Sequence, residues 1–273
     1  MSDPTRTTTS VAPNPPHLKR PGGIDWRALI LPMVLVLLWT AATSWQWVNI
    51  KLIVPPHLVI DTALTEVTQT DFYIGIALSL WRDVSGFTIG ALAGVVIGIV
   101  LGVSRLANNL IGPTFHTLRQ ISLFAWLPLL SAVIGTGDLA KVIFISFSAL
   151  YPVALATLEG VKGVSKAHLE VAQVYGFTRR QRFTRLILPA ASPQILSGLK
   201  LGLVYAWLAT IGAEFLLVND GHGIGSIVFK GRAAFNVELI IFGLFVIGLI
   251  GFVLTRTADV AERRLLRWRP SNT

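Results

Sequence analysis

From residue 84 to residue 103 the chain runs twenty residues without a charged side chain. As a helix such a run spans about 30 Å, the thickness of the hydrocarbon core of a bilayer. Similar apolar runs cover residues 28–48, 121–134, 139–158, 195–217 and 237–254. The expected fold is therefore an all-α membrane protein with about six transmembrane helices. Composition agrees, because 53% of the residues are hydrophobic and 14% charged, against about 45–50% and 25% in soluble domains. That balance excludes a soluble enzyme or a disordered chain as the starting expectation.

Residues 1–26, with Pro13, Pro15, Pro16 and Pro21, hold too little apolar surface to fold alone and are expected to form a flexible cytoplasmic tail. The polar stretch ahead of the run at 28–48 is too long, and the run too extended, for a cleaved signal peptide, so a retained span is expected. Residues 27–76 then comprise the first transmembrane helix and a periplasmic segment. In that segment Pro55-Pro56 predicts extended backbone leading into short surface helices. Residues 77–256 form the core, and 257–273 a basic cytoplasmic tail.

Charge sets the orientation. With the N-terminus inside, only Lys51, Arg82, Lys141, Lys230 and Arg232 of the 23 Lys and Arg fall outside. That asymmetry favours an even number of spans with both termini cytoplasmic. Basic groups facing an anionic inner leaflet account for much of the +9 net charge without invoking nucleic acid. There is no cysteine, which excludes disulfides and thiolate chemistry.

Gly86, Gly90, Gly94, Gly98 and Gly102 recur every fourth residue. They share one helix face, where a second helix can approach closely, either as a packing seam or as a groove lined for substrate. Pro128 interrupts the run at 121–134, so that helix is expected to face protein or a cavity. Ionisable groups near membrane depth are functional candidates. Arg119 reads as a gate or pathway residue or, with His116, as a cation snorkelling to headgroups. Glu214 reads as part of an outer gate, as a docking point for a binding protein, or as a plain interfacial carboxylate. Lys141 reads as an exposed outer cation. Trp81, Trp126 and Trp207 are pathway candidates or interface anchors. Arg119, Trp126, Pro128 and Glu214 make up the candidate gate set. No H-E-x-x-H pair and no Ser/His/Asp arrangement is present, so neither a metal site nor a catalytic residue is expected.

The polar block after the fourth run carries a different pattern. From Ser165 onward Ala167, Val171, Val174, Tyr175 and Thr178 share one helical face, while His168, Glu170 and Gln173 point away. Gly176 fits a helix stop, being able to take positive φ. Arg179, Arg180, Arg182 and Arg185 follow, close to the expected membrane surface. From these residues alone, the segment could be an interfacial helix under the headgroups.

Glu170-Val171-Ala172, three residues, Gly176, nine residues, then Leu186-Ile187-Leu188-Pro189 resembles the EAA loop of bacterial ABC importer permeases. Glu170, Ala172, Gly176, Leu188 and Pro189 match that pattern, whereas Val171 and Leu186 replace its Ala and Ile. The resemblance extends from about residue 77 to 268. Ser79-Leu80-Trp81-Arg82, Gly86-Phe87, Leu118-Arg119, residues 125–128, Lys141, Ala213-Glu214, Gly223-Ile224-Gly225 and Leu266-Arg267-Trp268 are similar to the nitrate/sulfonate/taurine branch. Ser122 departs from it, standing where the branch usually has Pro, and Pro55-Pro56-His57 only partly matches its Pro-Ser-Pro.

The resemblance implies a type I ABC importer permease architecture with a cytoplasmic coupling helix, in a bacterial inner membrane. Its implied partners are a second copy of the chain, two ABC ATPase subunits and an extracytoplasmic solute-binding protein. The residues it assigns to coupling are Ser165, Ala167, His168, Glu170, Val171, Ala172, Val174, Tyr175, Gly176, Leu186, Leu188 and Pro189. The implied cargo is a small organic anion such as an aliphatic sulfonate or taurine, with nitrate, a carboxylate or a pyrimidine-like compound also open. No G-x-x-x-x-G-K-[ST] loop is present, and Gly135-Thr136-Gly137 and residues 221–225 have the wrong spacing. No cofactor is therefore expected on this chain; ATP and Mg belong to the partner ATPase. The alternative is a self-contained secondary transporter or channel, for which no inverted repeat is visible and in which the EAA loop would be surplus.

Overall fold

The computed structural model describes residues 26–45, 53–217 and 222–266. The expectations placed on residues 1–25, Lys51, Gly221 and the tail from Arg267 lie outside them. In order the helices are α1 (Trp26–Ser44), α2 (Pro56–Val67), α3 (Thr70–Val103) and α4 (Arg105–Leu118). A 3₁₀ turn (Leu123–Trp126) leads into α5 (Leu127–Ile134), followed by α6 (Asp138–Lys162) and α7 (Lys166–Val174). A single turn, α8 (Arg179–Gln181), passes through a π-helical turn (Arg182–Ile187) into α9 (Leu188–Leu216), and α10 (Ile224–Ala233) and α11 (Val237–Leu265) close the order.

Helix α6 lies between α3 and α9, and small residues make that possible. A Cβ added to Gly86 would fall 2.6 Å from Ile145 Cβ; on Gly94 it would fall 2.8 Å from the Leu150 carbonyl oxygen. At Gly98 it would lie 2.6 Å from the Ala154 carbonyl oxygen, and at Gly102 2.6 Å from Val161 Cγ1. Gly90 would meet the Ser146 carbonyl oxygen directly. The five glycines are thus the packing seam, and the substrate-groove alternative falls. Lipid tails give helices no hydrophobic reason to associate, so close backbone approach supplies the van der Waals contact instead. On the other side Ala140, Ala149, Ala206, Ala209 and Ala213 are buried between α6 and α9. Helices α10 and α11 add a second layer, joined to the first through Phe72, Trp207, Ile224, Ile227, Phe242 and Val246.

Among the described residues four segments are long and apolar enough to cross a bilayer: Thr70–Val103, Asp138–Lys162, Arg179–Leu216 and Val237–Leu265; the stretch Ile30–Ser44 of α1, within the run at 28–48, is shorter. Three expectations change. The third run is not one span, because Arg105–Leu118 and Leu123–Ile134 meet at 90°, a bent pair that makes a fifth crossing at most. Pro128 does not interrupt a helix there; it lies in the first turn of α5, where its missing N–H costs nothing. Helix α3 begins at Thr70, so residues 70–76 belong to the long helix rather than to the periplasmic segment. Extended Pro55 followed by Pro56 at the start of α2 matches the sequence expectation.

The starts of α3 and α6 and the end of α9 lie at one end of the bundle. The 25 residues of α6 carry the chain about 37 Å to the opposite end, where α7 sits.

Candidate functional site

At the α7 end, Ser165 N-caps a nine-residue helix. The helix ends in a left-handed turn: Gly176 has φ +67°, its N–H donates to the Gln173 carbonyl at 3.0 Å, and the Phe177 N–H donates to the Ala172 carbonyl at 2.9 Å. This pair of bonds is the Schellman arrangement, which needs a positive φ at Gly176 and satisfies two carbonyls the helix leaves open. Thr178 and Gln181 then form a capping box that starts α8. Helix α7 rests on the π-helical turn carrying Arg182 and Leu186, and only Ala172 on it is buried. The stripe expected to be apolar stays outside: Val171 is 53% exposed, Val174 86% and Tyr175 77%. Ala167, His168, Glu170 and Thr178 are exposed as well. Leu188 and Pro189 open α9 directly behind this loop. The candidate coupling residues therefore lie on α7 and on the turn and helix start behind it, and no described residue covers the apolar face of α7.

Between α4–α5, α6 and α9 lies an open cavity of about 600 Å³. Arg119 and Trp126 line it, which makes Arg119 a cavity residue rather than a peripheral cation. Pro128 and Glu214 do not line it. Among the other tryptophans, Trp81 is exposed on the outside of α3, while Trp207 is buried, its indole N–H donating to the Ile247 carbonyl at 3.3 Å.

Glu214 belongs to a third place, at the far end of the bundle. Arg82, 1% exposed, donates from Nη1 to Glu214 Oε1 at 2.8 Å and to the His222 carbonyl at 3.0 Å. Its Nε and Nη2 reach Asp138 Oδ1 at 2.8 and 2.7 Å. Glu214, 2% exposed, also accepts from the Ser79 hydroxyl at 2.7 Å and from the Gly225 N–H at 2.9 Å. The Ile224 N–H closes the ring by donating to Ser79 Oγ at 2.9 Å. Glycine is required here: Gly223 has φ +142°, and a Cβ on it would lie 2.6 Å from Glu214 Cδ. The Gly-rich loop thus cradles a protein carboxylate. A surface role for Glu214 is corrected accordingly, since the side chain offers nothing to a docking protein. Lys141, expected to be exposed, is 2% exposed and stands 4.0 Å from Asp138.

Sequence reasoning missed Arg82 as a partner of Glu214, 132 positions away. The usable signal was a cation and a carboxylate in apolar helices, together with Gly-x-Gly shortly after Ala213-Glu214.

A bundle of apolar helices carrying a protruding, uncovered helix and a lined cavity defines a multi-span membrane subunit built to work with other chains. Residues 90–267 match the family of binding-protein-dependent transport system inner membrane components, and the chain belongs to that family. It is a permease subunit of the ABC importer class. It is 29% identical over 266 residues to SsuC of Bacillus subtilis, an aliphatic-sulfonate transport permease by name, covering 97% of this chain and 95% of SsuC. It is 30% identical over 243 residues to the taurine transport system permease TauC of Escherichia coli, covering 87% of each. The fold is similar to that in a crystal structure of an amino acid ABC transporter with histidines, at TM-score 0.61 and 19% identity over 74% of this chain and 97% of that one. Family membership removes the secondary-transporter alternative.

Proposed function

We infer that this chain forms the translocation path for a small organic anion, of the aliphatic-sulfonate or taurine type, with nitrate as the next candidate. It works as a pair of identical copies with two ATPase subunits, in a bacterial inner membrane with both termini cytoplasmic. A solute-binding protein delivers cargo at the Arg82–Glu214 end. ATP and Mg are held by the ATPases, and this chain hydrolyses nothing. The observation that carries the reading is the uncovered face of Val171, Val174 and Tyr175 on a helix ended by Gly176. A short amphipathic helix with basic neighbours suits a groove on a second protein, with the cations of α8 as an electrostatic rim. Closure of two ATPases would then move two α7 helices as levers on α6 and α9, a rigid-body transition. Arg119 and Trp126 are placed on the path in this reading.

Native mass spectrometry of the tagged chain, extracted gently from its host's membranes, tests it. The expected result is two copies with two ATPase chains. Recovery with itself alone, even after cross-linking, would remove the coupling role from residues 165–189.

A further inference from the structure

The cavity between α4–α5, α6 and α9 is unequal in its chemistry. Arg119 is the one cation on its lining, and no carboxylate among the described residues lies within ion-pair distance of it. Trp126, Tyr151 and Tyr205 share that lining, and the indole N–H and the two hydroxyls have no hydrogen-bond partner among the described residues. A guanidinium and an indole can only donate, and a phenol donates readily. Four side chains with unused donors on one lining suit a guest that accepts. The volume of about 600 Å³ falls in the range of small-molecule sites. The rings supply flat apolar walls for a short alkyl stem.

We propose that this cavity is the anion subsite of the translocation path, with Arg119 receiving the negative head of the solute and Trp126, Tyr151 and Tyr205 completing its shell. The solute class is a compact oxyanion on a short aliphatic stem, as in an alkanesulfonate. This rests on the importer reading above and adds to it the residue that meets the charge. Glu159, the one carboxylate on the lining, lies near the end of α6 towards α7 and makes no ion pair with Arg119. Its charge lowers the net positive field, so the anion is held weakly enough to leave, as a passage requires.

The test uses the whole complex with its binding protein in proteoliposomes, with uptake of radiolabelled taurine, ethanesulfonate and nitrate as the probes. Arg119→Gln should cut uptake of the transported anion by about tenfold, the scale of one lost charge-assisted hydrogen bond. ATPase co-purification should stay at the wild-type value, which separates loss of the subsite from loss of assembly. Arg119→Lys, which keeps the charge and loses the planar fork, should fall between the two. Wild-type uptake by the Gln variant, or a Lys variant as poor as Gln, overturns the assignment of Arg119 while leaving the importer reading standing. A wild-type complex that takes up none of the three anions overturns both. Should Arg119→Gln fail to assemble, Tyr151→Phe and Tyr205→Phe decide the matter, because each removes only a hydroxyl. A two- to threefold fall in uptake in at least one of them supports the subsite, and unchanged uptake in both sinks it.

Discussion

The two ends of this bundle solve opposite problems. At the Arg82–Glu214 end, polar groups are answered by the chain itself: a buried guanidinium, the buried Glu214 and half-exposed Asp138 carboxylates, a hydroxyl and two backbone N–H groups close a ring within hydrogen-bond distance. At the α7 end, apolar side chains are exposed and covered by none of the described residues. The first arrangement is complete in one copy and should behave as a structural unit. The second is incomplete and should reveal itself only in the presence of a partner. Buried charge without a partner is costly, whereas exposed apolar surface is tolerated one side chain at a time, so the same kind of substitution has different consequences at each end.

The largest effect should come from breaking the buried ring. Arg82→Met leaves Glu214 buried without the guanidinium that pairs with it, and should cost about 3–5 kcal/mol of stability. A fall in the thermal midpoint and yield of the detergent-solubilised protein would register it. Adding Glu214→Leu to that variant should recover part of the loss; a double variant worse than Arg82→Met would break the account of the ring as an ion pair.

The glycine seam comes next. Gly90→Leu places a side chain against the Ser146 carbonyl oxygen, backbone that cannot swing aside, and should cost roughly 2–3 kcal/mol as α3 is forced off α6. Limited proteolysis in membranes should show faster cleavage of this variant than of the wild type. Equal rates would mean the seam is looser than its geometry.

At the other end the effects on stability shrink while those on assembly grow. Gly176→Val forces a β-branched residue into φ +67° at a local cost of about 1–2 kcal/mol. It should leave insertion intact and lower ATPase co-purification. Open space around the Gly176 Cβ position means strain rather than collision is the cause, so Gly176→Asn should be milder than Gly176→Val. Smallest of all in stability is Val174→Asn, expected within about 0.5 kcal/mol because the side chain is exposed. Its co-purification with the ATPase should nonetheless fall. Co-purification unchanged in both the Val174 and Gly176 variants would erase the contrast between the two ends.

Much of this was legible in the chain order alone, for physical reasons that differ by element. Helices at 138–162 and 237–265 announce themselves because a bilayer-crossing run must be both long and apolar. The amphipathic stripe at 167–175 and its glycine stop are local, set by 3.6-residue periodicity and by the freedom of one residue to take positive φ. The bend between α4 and α5 was not legible. The apolar run at 121–134 carries no sign that the helix before it will meet it at 90°. Pro128, read as an interruption, fits equally well in a first turn.

The sequence by itself determined that the chain is a helical membrane protein, where several of its long helices lie, and that residues 165–176 form a short amphipathic helix with a glycine stop. Those properties follow from hydropathy, periodicity and spacing, which act over a few residues at a time. Only the tertiary structure decided which polar groups meet. Arg82 and Glu214, 132 positions apart, form one buried ring, and Arg119 shares a cavity with Tyr151 and Tyr205 without an ion-pair partner among the described residues. Such pairings depend on how α3, α6 and α9 are set against one another, and that is fixed by close packing across a seam of glycines rather than by any local preference of the residues that come together.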